Sequence, residues 1–146
     1  MSGVNKVILL GRVGKDPEVR TTQGGKDIAK LSLATSDSWK DKQTGERKEV
    51  TEWHNVSFFA PGHVKLVGGY IRKGDMIYVE GKIKTDRYER DGQERYFTSI
   101  VVEGYGGRVE IVSSKADNQQ VQAQQKHSQE KGNAYVQDDL DDEIPY

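Results

Sequence analysis

One helical segment interrupts an otherwise strand-patterned chain, and its position constrains the fold more than any other feature. Within Pro61–Lys73, the apolar residues Val64, Val67 and Ile71 recur at helical spacing. Pro61 suits a first helical turn and Gly74 a C-terminal stop. Gly68 and Gly69 each cost about 1 kcal/mol relative to Ala, so this helix must lean on tertiary packing. The flanking runs are β-branched, alternating and bounded by turn residues. Val4–Val13 ends at Gly14 and Asp16-Pro17. Gly24-Gly25 separates Glu18–Thr22 from a second strand, Asp27–Ser38, in which Leu31 and Leu33 alternate with polar or small neighbours. A polar loop, Lys40–Lys48, leads to a third strand, Val50–Phe59. Gly74–Arg87 is a fourth, with Ile77, Val79 and Ile83 alternating against Tyr78, Glu80, Lys82 and Lys84. Asp91-Gly92 signals a hairpin into a fifth, Arg95–Val102, with an extension through Gly104–Gly107 to Val112. Short strands alone fit several small barrels. Five strands with one helix between the third and fourth predict an all-β, five-stranded Greek-key OB-fold barrel.

Composition changes near Val112. Residues 113–137 are dominated by Gln, Ser, Asn, Lys and Ala, which offer nothing to offset the entropy of ordering a chain. They read as a flexible linker spanning roughly 25–30 Å on average. Residues 138–146 form an acidic tip ending in Ile144-Pro145-Tyr146. Residues 1–112 carry 19 Lys+Arg against 16 Asp+Glu; residues 113–146 carry 3 against 7. A mildly basic body and an acidic end suit different partners. With 34% hydrophobic residues the chain can bury one modest core, expected in 1–112. The absence of cysteine excludes disulfides, thiolate zinc sites and cysteine nucleophiles. The run Val7-Ile8-Leu9-Leu10 is too short for a signal peptide or a membrane span.

Parity along the third strand separates two faces. Val56 and Phe58 read as core, whereas Trp53 and Phe59 share the other face with Thr51, Asn55 and Ser57. Large aromatics among small polar residues suit base stacking, which needs a flat ring in wet surroundings. Burial of both rings in a core is the competing reading. Trp39 ends the second strand beside the polar loop, and Tyr88 lies at the tip of the fourth among Lys84, Arg87 and Arg90. Arg20, Lys42, Arg72, Lys73, Lys84 and Arg87 fall near the same loops and strand ends, where cations could follow phosphates. A solvated face is the plainer reading of each cation.

Enzymatic signals are weak. Gly11-Arg12-Val13-Gly14-Lys15 lacks the spacing of a phosphate-binding or dinucleotide loop. His54, His63 and His127 lack metal-ligand spacing, so no cofactor or metal is expected. Glu52 and His54 share a strand face, where a structural or interface role outweighs acid–base catalysis. In the tip, Asp138, Asp139, Asp141, Asp142 and Glu143 precede Ile144, Pro145 and Tyr146. This segment is either a solubilising tail or a docking peptide. As a peptide, its carboxylates would meet basic residues and its apolar end would fill a pocket. It could also cover the basic face of the body when that face is empty.

These motifs together resemble the bacterial single-stranded DNA-binding proteins. The resemblance rests on Val4–Arg20, Leu33-Ala34-Thr35-Ser36-Asp37-Ser38-Trp39, Thr51-Glu52-Trp53-His54, Tyr70-Ile71-Arg72-Lys73-Gly74-Asp75, Tyr78-Val79-Glu80-Gly81 and the terminal Ile144-Pro145. It implies a non-catalytic homotetramer in the bacterial cytoplasm and nucleoid, binding single-stranded DNA with little sequence preference. It further implies stacking by Trp39, Trp53, Phe59 and Tyr88, a subunit contact at His54, and docking of replication, recombination and repair enzymes on the acidic tip. Three departures stand out. The chain ends in Tyr146 where the family usually has Phe, Tyr88 stands where many members have Trp, and the linker is short and Gln-rich.

Overall fold

The computed structural model describes residues 2–115. Its elements are β1 (Val7–Val13), β2 (Glu18–Thr21), β3 (Asp27–Lys40), β4 (Arg47–Phe58), α1 (Pro61–Tyr70), β5 (Met76–Arg90), β6 (Gln93–Val102) and β7 (Arg108–Ser113). Strand neighbours run β1-β3-β4-β6-β5, and β1 also pairs with β5, which closes five strands into a barrel. The β4–β6 contact is parallel and short, Val56–Phe58 against Ile100–Val102. This is the predicted OB barrel, with α1 between its third and fourth long strands. Closure requires β1 to serve two neighbours. A Cβ at Gly11 would collide with the Ala34 carbonyl, and one at Gly81 with that of Val101, so glycine permits both close approaches.

Inward residues of the barrel and one side of α1 share a single core, including Leu33, Phe58, Val67, Ile71, Ile77 and Val79, all essentially inaccessible. Fully burying side chains of this size stabilises by about 1.5–3 kcal/mol each, which compensates for Gly68 and Gly69 within the helix. Among the described residues, no helix is long and apolar enough to cross a membrane.

Several boundaries differ from expectation. The first strand begins at Val7, because the Asn5 side chain takes the place of a ladder. Its amide donates to the Ile83 carbonyl (2.8 Å) and its oxygen accepts the Ile83 N–H (3.0 Å). The helix ends at Tyr70, with Ile71 extended and fully buried. Next, the Arg72 N–H donates to the Asp75 carboxylate (2.9 Å), folding Arg72–Asp75 into a turn with Gly74 at φ 91°. The expected extension of the fifth strand is a separate strand, β7, antiparallel to the first half of β5. Ile83, expected inside by alternation, is about half exposed.

Candidate nucleic-acid interface

Two pairs of strands outgrow the barrel. β3 and β4 remain paired out to Lys40 and Arg47, and β5 and β6 out to Arg90 and Gln93. Beyond Ser36 and Thr51, and beyond Ile83 and Thr98, both sides of each ribbon are exposed. The turns are locally specified. The Asp41 carboxylate accepts the Gln43 N–H (2.9 Å) and pairs with Lys48 (3.0 Å). The Gln43 N–H, and then Lys48, hold its carboxyl below the usual aspartate range. At the other tip, Asp91 (φ 55°) and Gly92 (φ 74°) form the left-handed pair that a two-residue hairpin needs.

The four predicted stacking rings all lie on the surface: Trp39 is 47% exposed, Trp53 61%, Phe59 43% and Tyr88 45%. The core reading of Trp53 and Phe59 therefore fails. Trp53 projects from β4 on the side of Ala34, and a Cβ on Gly14 would strike the six-membered part of its indole. The indole thus rests on the β1–β2 loop with much of its surface in solvent. Trp39 has the pleat parity of Leu31 and Leu33, so the two indoles lie on opposite faces of the β3–β4 ladder. Trp39 lines a small surface hollow with Lys40, Gly45 and Arg47. Phe59 separates two clefts. One, of about 830 Å³, lies against α1 and Val19; the other, of about 510 Å³, includes Asn5, Lys82 and Lys84. Phe59 and Lys84 are thereby brought together. Tyr88 sits opposite Arg95 near the tip of the β5–β6 ribbon.

The predicted cations differ in their surroundings. Arg20 pairs with Glu18 (2.6 Å), Lys84 with Asp86 (3.5 Å) and Arg87 with Glu94 (2.9 Å). These are exposed pairs, weak enough to exchange for phosphate. Arg72 instead donates to the carbonyls of Gly68 (3.0 Å), Gly69 (3.4 Å) and Ile71 (2.8 Å), capping the end of α1. Lys42 and Lys73 form no ion pair among the described residues; the Lys73 backbone N–H donates to Asp16 (2.8 Å). The partly buried His54 shares a hydrogen bond with the Thr35 hydroxyl (2.8 Å) within the same chain. The tip residues Asp138, Asp139, Asp141, Asp142, Glu143, Ile144, Pro145 and Tyr146 lie outside the described residues, as does most of the linker.

On β6 the sequence reading missed two exposed rings, Tyr96 and Phe97. Adjacent strand residues point to opposite faces, so an aromatic pair in a two-stranded arm must show rings on both. Arg87 lies over the Tyr96 ring (5.4 Å) and donates to its hydroxyl (3.1 Å). On the far side of the barrel, β1 exposes Ile8 and Leu10 opposite Glu80 and Tyr78 of β5. The Tyr78 hydroxyl donates to Glu80 (2.5 Å), which Lys6 also approaches (3.7 Å). That hydrogen bond raises the Tyr78 hydroxyl's pKa and lowers that of the Glu80 carboxyl.

Residues 4–112 match the model of the single-strand binding protein family. The chain is 45% identical to a single-stranded DNA-binding protein of Rickettsia felis, over 98% of this chain and 97% of that protein. It is 44% identical to the one from Rickettsia prowazekii over the same shares. Among solved structures, a Plasmodium falciparum SSB in complex with ssDNA superposes with a TM-score of 0.71 at 33% identity. That match covers 77% of this chain and 98% of the other. A Thermus aquaticus single-stranded DNA binding protein gives 0.62 at 27% identity, covering 77% of this chain and 52% of its own.

Proposed function

The chain belongs to the single-strand binding protein family, and from that premise we propose that it binds single-stranded DNA without catalysis and with little sequence preference. The observation that carries this reading is the exposure of Trp39, Trp53, Phe59 and Tyr88. Water-exposed rings would be a liability on an ordinary barrel, yet each can stack on any base. The two indoles lie on opposite faces of the β3–β4 ladder, so a strand that meets both must pass around it. Arg20, Lys42, Lys73, Lys84 and Arg87 neutralise phosphates along that path. Arg72, held at the helix end, adds charge more than free donors. A body net charge of only +3 leaves stacking a large share of the affinity.

The assembly is a homotetramer in this reading. The exposed Ile8 and Leu10, beside the half-buried Tyr78, support it, since apolar side chains exposed on a sheet face favour burial against another copy. His54 completes a subunit contact. The protein works in the bacterial cytoplasm and nucleoid, coating single strands while the acidic tip, reached through the 113–137 linker, recruits replication, recombination and repair enzymes. Competition between matched DNA and RNA oligonucleotides tests the ligand, and clear RNA preference would contradict it. Truncation after Lys115 tests the division of labour. DNA binding should persist and enzyme recruitment should vanish, whereas loss of DNA binding would refute the assignment of tail and body to separate tasks.

A further inference from the structure

The outer side of β4 carries a cleft that the four predicted rings do not account for. It holds about 470 Å³ and is lined by Lys15, Lys30, Ser32, Asn55, Ser57 and Phe97. Pockets for small ligands usually span about 300–1,000 Å³. Strand register explains its origin. Val56 lies level with Ile100 and Ser57 with Val101 in the parallel β4–β6 contact. Counting back along both strands sets Trp53 level with Phe97, on the pleat face of Asn55 and Ser57. Here β4 and β6 no longer pair, because β4 continues with β3 and β6 with β5. The parting ribbons leave a gap with an aromatic ring on each strand.

The cleft's chemistry is mixed in a particular way. Phe97 is 47% exposed, which leaves ring surface uncovered. Asn55 offers an amide donor and acceptor, and Ser32 and Ser57 contribute hydroxyls. Two carboxylates share the rim, and one of them is in an ion pair. Asp16 accepts the Lys73 N–H (2.8 Å), and Glu18 is paired with Arg20 (2.6 Å). Lys15 and Lys30 form no ion pair among the described residues. An apolar ring, an amide and two ammonium groups match the base, the base edge and the phosphates of one nucleotide.

We propose that this cleft is a subsite for one nucleotide of the bound strand, with Phe97 as a fifth stacking ring. The Asn55 amide meets the base edge, and Lys15 and Lys30 meet the flanking phosphates. The neighbouring base lies on Trp53. The proposal rests on the single-stranded DNA reading above.

The test is titration of labelled oligo(dT) with the full chain, wild type against Phe97→Ala, followed by anisotropy. Base–aromatic stacking corresponds to a loss of about 5- to 150-fold in affinity, with the melting temperature little changed because the ring is half exposed. Phe97→Trp keeps the test decisive if the alanine variant is poorly behaved, since its added emission should be quenched by the oligonucleotide. Wild-type binding with an unchanged Kd in Phe97→Ala, or an unquenched added indole in Phe97→Trp, would overturn the subsite while leaving the general function standing. A wild-type chain that ignores oligo(dT) would overturn the functional reading first, and the subsite with it.

Discussion

The barrel and its two ribbons are made from the same strands but obey different rules. Within the barrel, β3 alternates strictly, with Ala29, Leu31 and Leu33 sealed inside. A few residues further along, the same parity puts Asp37 and Trp39 in water. The barrel seals Phe58 inside, while the ribbons carry Trp39, Tyr88, Tyr96 and Phe97 on the surface, and Trp53 stands exposed where the β3–β4 ribbon leaves the barrel. A two-stranded ribbon has no second layer to cover either face and is marginal by itself, so it must be rooted in the barrel. What the ribbons lose in burial they gain in accessible ring surface. Stability and ligand contact should therefore be separable by mutation.

The largest expected effect is on the barrel side. Phe58→Ala should lower unfolding free energy by about 3–5 kcal/mol in urea titration, because a fully buried ring leaves a cavity. A loss below about 1 kcal/mol would break the contrast. Among the surface rings, Trp53→Ala should weaken oligo(dT) binding by about 1–3 kcal/mol in anisotropy titrations. Gly14→Leu sharpens the same point. A side chain there displaces the indole from its support, so binding should fall in the direction of the Trp53 variant while the core stays intact. Tyr88→Ala should shift stability by no more than about 0.5 kcal/mol in the same urea experiment, although DNA affinity drops. The smallest effect concerns pH. The Tyr78 hydroxyl lowers the Glu80 carboxyl below its ordinary range. A carboxyl lowered on folding stabilises the native state above its unfolded value, about 4.3 for Glu, and loses that contribution as pH falls through the folded value. Melting temperature should thus decline on acidification, and Glu80→Gln should flatten that decline.

Much of the barrel was legible because its signals are local. The helical spacing of Val64, Val67 and Ile71 placed α1, and Asp91-Gly92 placed a hairpin that the backbone angles bear out. Ile83 was misread because alternation tells which face a residue takes and not where the barrel ends. β7 was joined to β6 because the chain's turn through Gly106 (φ 78°) carries no hydrophobic pattern of its own. At the site, polar neighbours identified Trp53 as a surface ring. Phe97 escaped notice because its meaning depends on the β4–β6 register, which joins residues far apart in sequence. The engagement of Arg72 at the helix end was equally invisible, since a cation near a glycine pair reads the same whether it caps a helix or waits for phosphate.

The most direct test is tryptophan fluorescence during titration with oligo(dT) at low and high salt, with duplex DNA as the control. Trp39 and Trp53 are the only two tryptophans and both are exposed, so their emission reports the proposed contact itself. The account predicts strong quenching by the single strand alone, largely surviving high salt because stacking is less salt-sensitive than phosphate pairing. Absent quenching, or an equal response to duplex, would contradict it.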